Sequence, residues 1–354
     1  MSELTVRTSE GSYVVVIDED AMGRAIELAD VAVVDANVAQ AIRLPPNIPS
    51  IEVVASEKLK TLAGCEHVIL QLRALGVTRG SCLLAVGGGT VQDAATFTAS
   101  IYMRGIPWVY APTTLMAVLD SCIGGKSSIN AGPAKNLIGN IYPPQSVHID
   151  PSFAATLTPE MTVSGLAEAM KICYAGGAGA FDRYLELAPG SAEPAVTTEL
   201  VEHVLGVKRW FVETDEFDRA ERHLLNFGHT FAHALEAAVE FSIPHGVAVA
   251  VGVRAALRHP AAEAGSRTRL LDNYSARLLA DIRPTVRDAL GRLDASAFRQ
   301  AFSGDKKHTS SAFVLVLPGP ENADLPLRLV ELPRSTAELD VALSCLRDAM
   351  EETV

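Results

Sequence analysis

"LLAVGGGTVQDAA", residues 83–95, decides how this chain folds. An apolar run leads into Gly87, Gly88 and Gly89, and a helical pattern follows with Asp93 in its first turn. Glycines at such a turn let a ligand come close to the backbone, and the helix start offers free N–H groups and a positive dipole end to a pyrophosphate. The spacing is not the G-x-G-x-x-G dinucleotide fingerprint, and a ligand-free strand-to-helix turn would carry the same letters. On either side the alternation continues. "SYVVVI", "VAVVD", "IEVVA" and "WVYAPTT" read as strands. "EDAMGRAIELAD", "ANVAQAIRL", "SEKLKTLAGCEHVILQLRALG" and "VQDAATFTASIYMRG" read as helices. Short β-branched runs between longer helical patterns indicate βαβ units and a parallel sheet.

After about residue 151 the texture changes. "TPEMTVSGLAEAMKICYAGG", "TTELVEHVLGVKRWFVETD" and "DRAERHLLNFGHTFAHALEAAVEF" read as helices, and strand-like runs nearly vanish until "AFVLVLPG". The expectation is an α/β domain over 1–150 and a mainly α-helical domain over 151–354. At 354 residues, 48% hydrophobic, the chain can bury cores for both.

A net charge of -12 argues against a nucleic-acid partner, which needs a basic face, but leaves room for a local lysine cluster around a small anion. The beginning, "MSELTVRTSEGSYVVVIDEDAMG", lacks a basic segment followed by a long apolar one, and "HALEAAVEFSIPHGVAVAVGVRAAL" is too interrupted to span a bilayer. Cys65, Cys82, Cys122, Cys173 and Cys345 have no C-x-x-C spacing, which suggests reduced thiols and a cytoplasmic protein.

Three constellations carry chemistry. In "NFGHTFAHALE", His229 and His233 lie four apart on one face of a helix, with His245 beyond the break at Pro244. Packed polar-core histidines are the commoner reason for such a pair. The third histidine and Glu168 on "GLAEAMK" favour a divalent metal with open positions for substrate. Lys171 lies one turn after Glu168, either beside that metal or in an i,i+3 ion pair. Finally, "DSCIGGKSSINAGPAKN", residues 120–136, has neither helical nor strand period and sets Lys126 and Lys135 in a small-residue loop. It is either a polar surface turn or a grip for an anion.

These motifs, in this order, resemble 3-dehydroquinate synthase and the wider sugar phosphate cyclases. The likeness runs over nearly the whole chain: "VVDANV" with Asp35 and Asn37, Glu57-x-x-Lys60, "GGGTVQD", "YMRGIPWVYAPTT", "DSCIGGKS", "KN", "IDPSFAATL", "SGLAEAMK", "RHLLNFGHTFAHALE", "PHG" and "DKK". The resemblance implies that the first domain, 1–150, binds NAD, that the second, 151–354, binds metal and substrate, and that the active site lies in the cleft. It implies that Glu168, His229 and His245 bind zinc or cobalt. It implies that Asp35, Asn37, Glu57, Lys60, Gly88, Gly89, Asp93, Thr113, Thr114, Lys135 and Thr156 surround NAD. Lys126, Asn136, Asn226, His233 and Lys307 (or Lys306) would contact substrate, several at its phosphate. Asp120, Lys171, Lys208 and Arg222 would hold its hydroxyls and carboxylate. Arg104 would reach the phosphate in a neighbouring subunit, which implies a homodimer.

The activity so implied is NAD- and metal-dependent oxidation, phosphate elimination, re-reduction and aldol cyclisation of a seven-carbon sugar acid phosphate (DAHP). Lys208 and Arg222 together favour this carboxylated substrate over sedoheptulose 7-phosphate, glucose 6-phosphate or an amino-sugar analogue. The chain departs from the family pattern in "GGKSSINAGPAKN" for GGKTGVNHPxGKN, in Val247 after "PHG", and in Ala232 within "TFAHA". These departures flank the site and point to a divergent member, with secondary metabolism as the alternative setting. The competing expectations are a metal-dependent polyol dehydrogenase, marked by net NADH, and a non-catalytic binding homologue, marked by failure to take up metal.

Overall fold

A computed structural model describes residues 1–132, 134–188, 196–320 and 323–354. The chain forms two compact units. The first is Met1–Leu157 together with Val196–Phe217, and the second takes the remaining described residues. The first unit therefore extends beyond the single seam expected at 151, because one later helix returns to it.

The strands are β1 Ser2–Thr8, β2 Gly11–Ile17, β3 Val31–Asp35, β4 Ser50–Val53, β5 Leu83–Gly87, β6 Trp108–Pro112, β7 Ile129–Ala131, β8 Ala134–Ile138, β9 Ser146–Ile149, β10 Ala312–Pro318 and β11 Leu327–Pro333. The helices are α1 Ala21–Glu27, α2 Leu62–Ala74, α3 Gly89–Ile101, α4 Pro159–Ala175, α5 Ala178–Leu187, α6 Thr198–Thr214, α7 His229–Ala238, α8 His245–Arg258, α9 Ser266–Ala280, α10 Arg283–Arg292, α11 Ala295–Ser303 and α12 Thr336–Glu351.

In the first unit a seven-stranded sheet runs in the order β1-β2-β9-β6-β5-β3-β4. It is parallel from β2 to β4, and β1 alone pairs antiparallel at the edge. β3, β5 and β6 are buried along their whole lengths, as expected of parallel strands covered on both faces. β3 leads outward to β4, and the chain then returns to the other side of β3 to form β5. Strand order reverses there, and ligands of open α/β sheets bind at the carboxyl ends of the strands flanking that point. Those ends are Asp35 and Gly87. α6 covers the β1–β2 edge, fastened by Arg7 to Glu213 at 2.6 Å and by Arg209 to the Thr5 carbonyl at 3.3 Å.

Several local expectations change. "ANVAQAIRL" is a run of turns rather than a helix, with the Val38 and Ala39 N–H groups both donating to the Asp35 carbonyl; Pro45 and Pro46 follow too soon for a helix to propagate. The "SSINAGPAKN" stretch forms a short hairpin, β7–β8, and Pro133 lies outside the described residues. The edge strand β1 carried no clear signal because only one of its side chains is buried.

In the second unit α4 and α8 are the core, buried over Thr162–Ala175 and Gly246–Ala256. The long helix expected around "RHLLNFGHTFAHALE" is two pieces, a 3-10 turn over Glu221–Asn226 and then α7. Gly228 makes the break with φ at +76°, and a Cβ there would sit 2.6 Å from the Val253 nitrogen. His229 thereby becomes the first residue of α7 rather than a mid-helix one. The five cysteines are free and buried. Among the described residues no helix is long and apolar enough to cross a membrane.

Candidate functional site

The second unit gathers Glu168 from α4, His229 from α7 and His245 from the start of α8. Gly246 makes this convergence possible: a Cβ there would lie 2.3 Å from the Ser164 carbonyl oxygen, so only glycine lets α8 close on α4. Glu168 is 1% exposed, and its Oε1 lies 3.6 Å from His229 Nε2 and 3.4 Å from His245 Nε2. All three ligand atoms lie within 4.8 Å of one another. A tetrahedral ion with bonds of about 2.0–2.2 Å spaces its ligand atoms roughly 3.3–3.6 Å apart, so the carboxylate-to-imidazole spacings are those of a coordination edge.

The outward nitrogens are also engaged. His245 Nδ1 faces Glu236 Oε2 at 3.2 Å, and His229 Nδ1 faces the Phe227 carbonyl at 3.2 Å. Phe227 is itself fixed by stacking on Tyr174 of α4, with ring centroids 5.8 Å apart. Imidazoles that donate Nδ1–H to an acceptor present Nε2 as the free ligand, the arrangement that orients metal-bound histidines. Burial, reinforced by Lys171, holds His229 well below the ordinary imidazole range, so it is neutral, as a ligand must be. Burial also opposes charge on Glu168, but Lys171 and the hydrogen bond and charge of His245 outweigh it and keep the carboxyl well below its usual range. For His245 burial is overcome by hydrogen bonds to Glu168 and Glu236, which carry it up to about 10. A cation bound to Nε2 would replace that proton. The donor set fits a divalent ion such as zinc or cobalt.

Around this cluster, Lys171 Nζ sits 2.5 Å from Glu168 Oε2, an ion pair without hydrogen-bond geometry. His233 is not a member of the trio. Its ring packs against His229 and His245 with centroids 5.5 and 5.8 Å away, and burial plus the charges of His245 and Lys307 push it down to about 4. Lys307 is half-buried and bound to Asp305 at 2.7 Å, whereas Lys306 is exposed, so Lys307 is the inward lysine. Arg222 is buried in the 3-10 turn whose last residue is Asn226, with the Asn226 Nδ2 donating to the His223 carbonyl at 3.1 Å.

The first unit brings together most of the other candidates. Gly88 caps α3 with no side-chain hydrogen bond, and a Cβ there would strike Thr114 at 2.7 Å. Thr113 is buried beside Gly87, to whose carbonyl its N–H donates at 3.1 Å. Gly89 faces only Ser121 Oγ, at 3.6 Å from an added Cβ. The turn opens a helix, where the first N–H groups have no intrahelical acceptor, and it fits a pyrophosphate. Asp35 lies at the end of β3 and accepts from the N–H and Nδ2 of Asn37, both at 3.0 Å. Lys60 pairs with Asp93 at 2.8 Å and donates to Asn136 Oδ1 at 3.0 Å, and Lys135 pairs with Glu57 at 3.4 Å. Burial pushes Asp93 up to about 6, against the pull of Lys60.

Asp120, at the start of a stretch expected to have no helical period, lies on a helical turn over Ala117–Ser121. Lys208 Nζ binds its Oδ1 at 2.6 Å and also its carbonyl oxygen. Lys126 is exposed between buried neighbours, on a backbone fixed by Ser127 and Asn140. Two candidates stand apart. Thr156 is exposed and its hydroxyl donates to the Phe153 carbonyl of its own turn. Arg104 is exposed on a tight turn with φ at +67°.

Sequence reasoning missed Glu236 and Gln92. Glu236 is seven residues after His229, on the same helical face, and that spacing was a usable signal. Gln92 is buried, and its amide bonds both Oγ and carbonyl of Ser121, at 2.6 and 2.7 Å, tying the glycine turn to the segment that carries Asp120. No sequence signal marks that pair.

The family models described as 3-dehydroquinate synthase N-terminal and C-terminal match residues 50–164 and 165–308. The 3-dehydroquinate synthase of Lactiplantibacillus plantarum is 36% identical over 264 residues, covering 75% of this chain and 73% of that protein. The one from Salinibacter ruber is 38% identical over 257 residues, 67% of this chain and 69% of that protein. In fold, the chain is similar to 2-deoxy-scyllo-inosose synthase, solved with carbaglucose-6-phosphate, NAD+ and Co2+; the TM-score is 0.78 at 20% identity, over 98% of this chain and 99% of that one. It is also similar to 2-epi-5-epi-valiolone synthase from Streptomyces hygroscopicus subsp. jinggangensis 5008, with NAD+ and Zn2+ bound; the TM-score is 0.74 at 24% identity, over 96% and 98%. With the motifs, both family models and a relative of this identity in agreement, the chain belongs to the 3-dehydroquinate synthase family and is a sugar phosphate cyclase, an enzyme of the carbon–oxygen lyase class.

Proposed function

We propose that the enzyme converts the carboxylated seven-carbon sugar acid phosphate to a carbocycle, oxidising an alcohol, eliminating phosphate, restoring the alcohol and closing the ring by an internal aldol step. The observation that carries this reading is the Glu168–His229–His245 cluster, with coordination-edge spacings and both imidazoles oriented from behind. When bound, a zinc or cobalt ion would supply Lewis acidity to a substrate hydroxyl, and NAD would supply a reversible hydride acceptor.

The chain's own residues account for the rest. Glu168, His229 and His245 hold the ion. Lys171 keeps a positive charge beside Glu168, where a hydroxyl oxygen gains negative charge. The glycine turn with Asp35, Asn37, Glu57, Lys60, Asp93, Thr113, Thr114 and Lys135 holds the dinucleotide. Lys126, Asn136, Asn226, His233 and Lys307 grip the phosphate end, and their charges and donors offset the charge of phosphate as it departs. Lys208 orients Asp120 toward a substrate hydroxyl. Arg222 supports the carboxylated substrate, since a buried guanidinium is suited to bidentate carboxylate binding. Arg104, on its exposed turn, would serve the site of a second copy in a homodimer, and the cytoplasm is where this substrate would be met.

A second reading, a cyclase for a sugar phosphate without a carboxylate, is favoured by one observation. Lys208, the other cation assigned to the carboxylate, spends two contacts on Asp120. Phosphate release should be measured with the sugar acid phosphate, sedoheptulose 7-phosphate and glucose 6-phosphate, following absorbance for NADH alongside. Release from the sugar acid phosphate with no net NADH is expected. Release from sedoheptulose 7-phosphate but not from the sugar acid would transfer the assignment to the second reading, and net NADH from a simple polyol would replace both.

A further inference from the structure

Around the β7–β8 hairpin, polar residues of the first unit close into a circuit. Asp93 pairs with Lys60 at 2.8 Å, and the same ammonium donates to Asn136 Oδ1 at 3.0 Å. The Asn136 N–H donates to Asn130 Oδ1 at 2.9 Å, and Asn130 Nδ2 donates to Glu57 Oε2 at 2.6 Å. Glu57 Oε1 pairs with Lys135 at 3.4 Å, next to Asn136 in the chain. The Asn130 N–H donates to the Lys60 carbonyl at 2.7 Å. Asn130 is 7% exposed and is the member that touches both sides, the α2-proximal segment with Glu57 and Lys60 and the hairpin strand with Asn136.

Asn136 needs holding. Its φ is +54°, in the left-handed region, which asparagine tolerates better than most residues but still at a cost. The bonds that fix it come from Lys60 to its side chain and from Asn130 to its backbone. Both partners, Lys60 as donor and Asn130 as acceptor, belong to, or are anchored on, the segment assigned above to the cofactor.

We propose that Asn130 is a positioning residue that couples the two grips, setting Asn136 for the substrate phosphate when Glu57 and Lys60 are in place around the dinucleotide. It rests on the cofactor and substrate roles proposed above. Ordering of Glu57 and Lys60 by NAD then orders Asn136 as well, so NAD tightens phosphate binding, and by reciprocity phosphate tightens NAD binding by the same factor.

The test uses the full-length protein with inorganic phosphate as probe, titrated calorimetrically with and without saturating NAD. In the wild type NAD should lower the phosphate Kd on the order of tenfold. In Asn130→Ala the ratio should fall to about one, within about twofold, while NAD alone still binds. Asn130→Asp sets two carboxylates against each other and should likewise abolish the ratio. Adding Glu57→Gln to Asn130→Asp restores an amide facing a carboxylate and should bring the ratio back. That pair of variants carries the test if the alanine variant fails to fold. A folded Asn130→Ala or Asn130→Asp protein with the wild-type ratio overturns the coupling, as does a folded double variant that still binds NAD, shown by NAD titration alone, and has no ratio. Wild-type protein that binds both ligands independently overturns this coupling alone. Wild-type protein that binds neither overturns the cofactor and substrate roles together with it.

Discussion

His245 is contested by two carboxylates, Glu168 on one nitrogen and Glu236 on the other. The first contact is one a metal would take over; the second is one it would exploit, because a carboxylate behind an imidazole fixes its tautomer and raises its basicity. Glu236→Gln should therefore weaken metal binding by about 10- to 100-fold while leaving the protein folded, and excess zinc should recover turnover. Metal content after dialysis against a graded chelator reads this directly, and unchanged retention would remove Glu236 from the site. His229→Ala removes a ligand outright, so metal and activity should vanish together; full activity at normal metal content would refute the ligand assignment. Arg222→Ala should reduce kcat/KM for the carboxylated substrate by at least about a hundredfold, the scale of a lost charge-assisted bidentate contact, and barely change NAD affinity. Equal losses in both would show that the guanidinium serves another purpose. The residue identities of all these groups were legible beforehand, except Glu236. Its partner on the far side of Pro244 could be known only once α7 and α8 were folded against each other.

At the scale of elements, the metal cluster depends on how closely two helices approach. α4 and α8 meet at Gly246, where a Cβ would lie 2.3 Å from the Ser164 carbonyl oxygen. Gly246→Ala must push α8 away, at a cost of about 1–3 kcal/mol from overpacking. Because His245 is the neighbouring residue, the same displacement should loosen metal binding. Denaturant unfolding measures the first effect and metal content of the folded variant the second. A variant with unchanged stability and unchanged metal would mean the contact is slack. Other elements show where pattern reading succeeds and fails. The β5–turn–α3 unit was legible because strand, glycines and helix each have their own periodicity. The β7–β8 hairpin was not, because its exposed strand β8 has no buried alternation and its order comes from Asn130, Lys60 and Asn140 rather than from apolar contacts. The helix expected after Asp35 failed because two prolines cut it short before it could repay nucleation.

Across the whole molecule, buried titratable groups set the pH range of stability. His148 lies in the first unit's sheet, 4% exposed, with Nε2 2.9 Å from Ser146 Oγ and no hydrogen-bond partner for Nδ1 among the described residues. Burial, with help from Arg24, lowers it from 6.5 to about 4. The unfolded chain takes up that proton near the ordinary value and the native protein only near the lowered one. Native stability should therefore fall as pH drops through this window, by up to about 3 kcal/mol. His148→Gln should flatten that decline, read as Tm against pH between 7 and 4. An identical slope in the variant would assign the acid sensitivity elsewhere, with Asp93 excluded as its source because a carboxyl raised to about 6 acts in the opposite direction.

By itself the sequence determined the α/β-then-helical order, the glycine turn, the family, and the residue types that carry the chemistry, because these follow from periodicity, chain order and side-chain identity. Only the tertiary structure decided that Glu236 backs His245, that Lys307 rather than Lys306 turns inward, that α6 joins the first unit, and that Asn130 links Glu57 to Asn136. Each of these depends on atoms far apart in the chain meeting within a few ångströms, a distance set by backbone packing at positions such as Gly246 and Gly228 and not written in any local pattern.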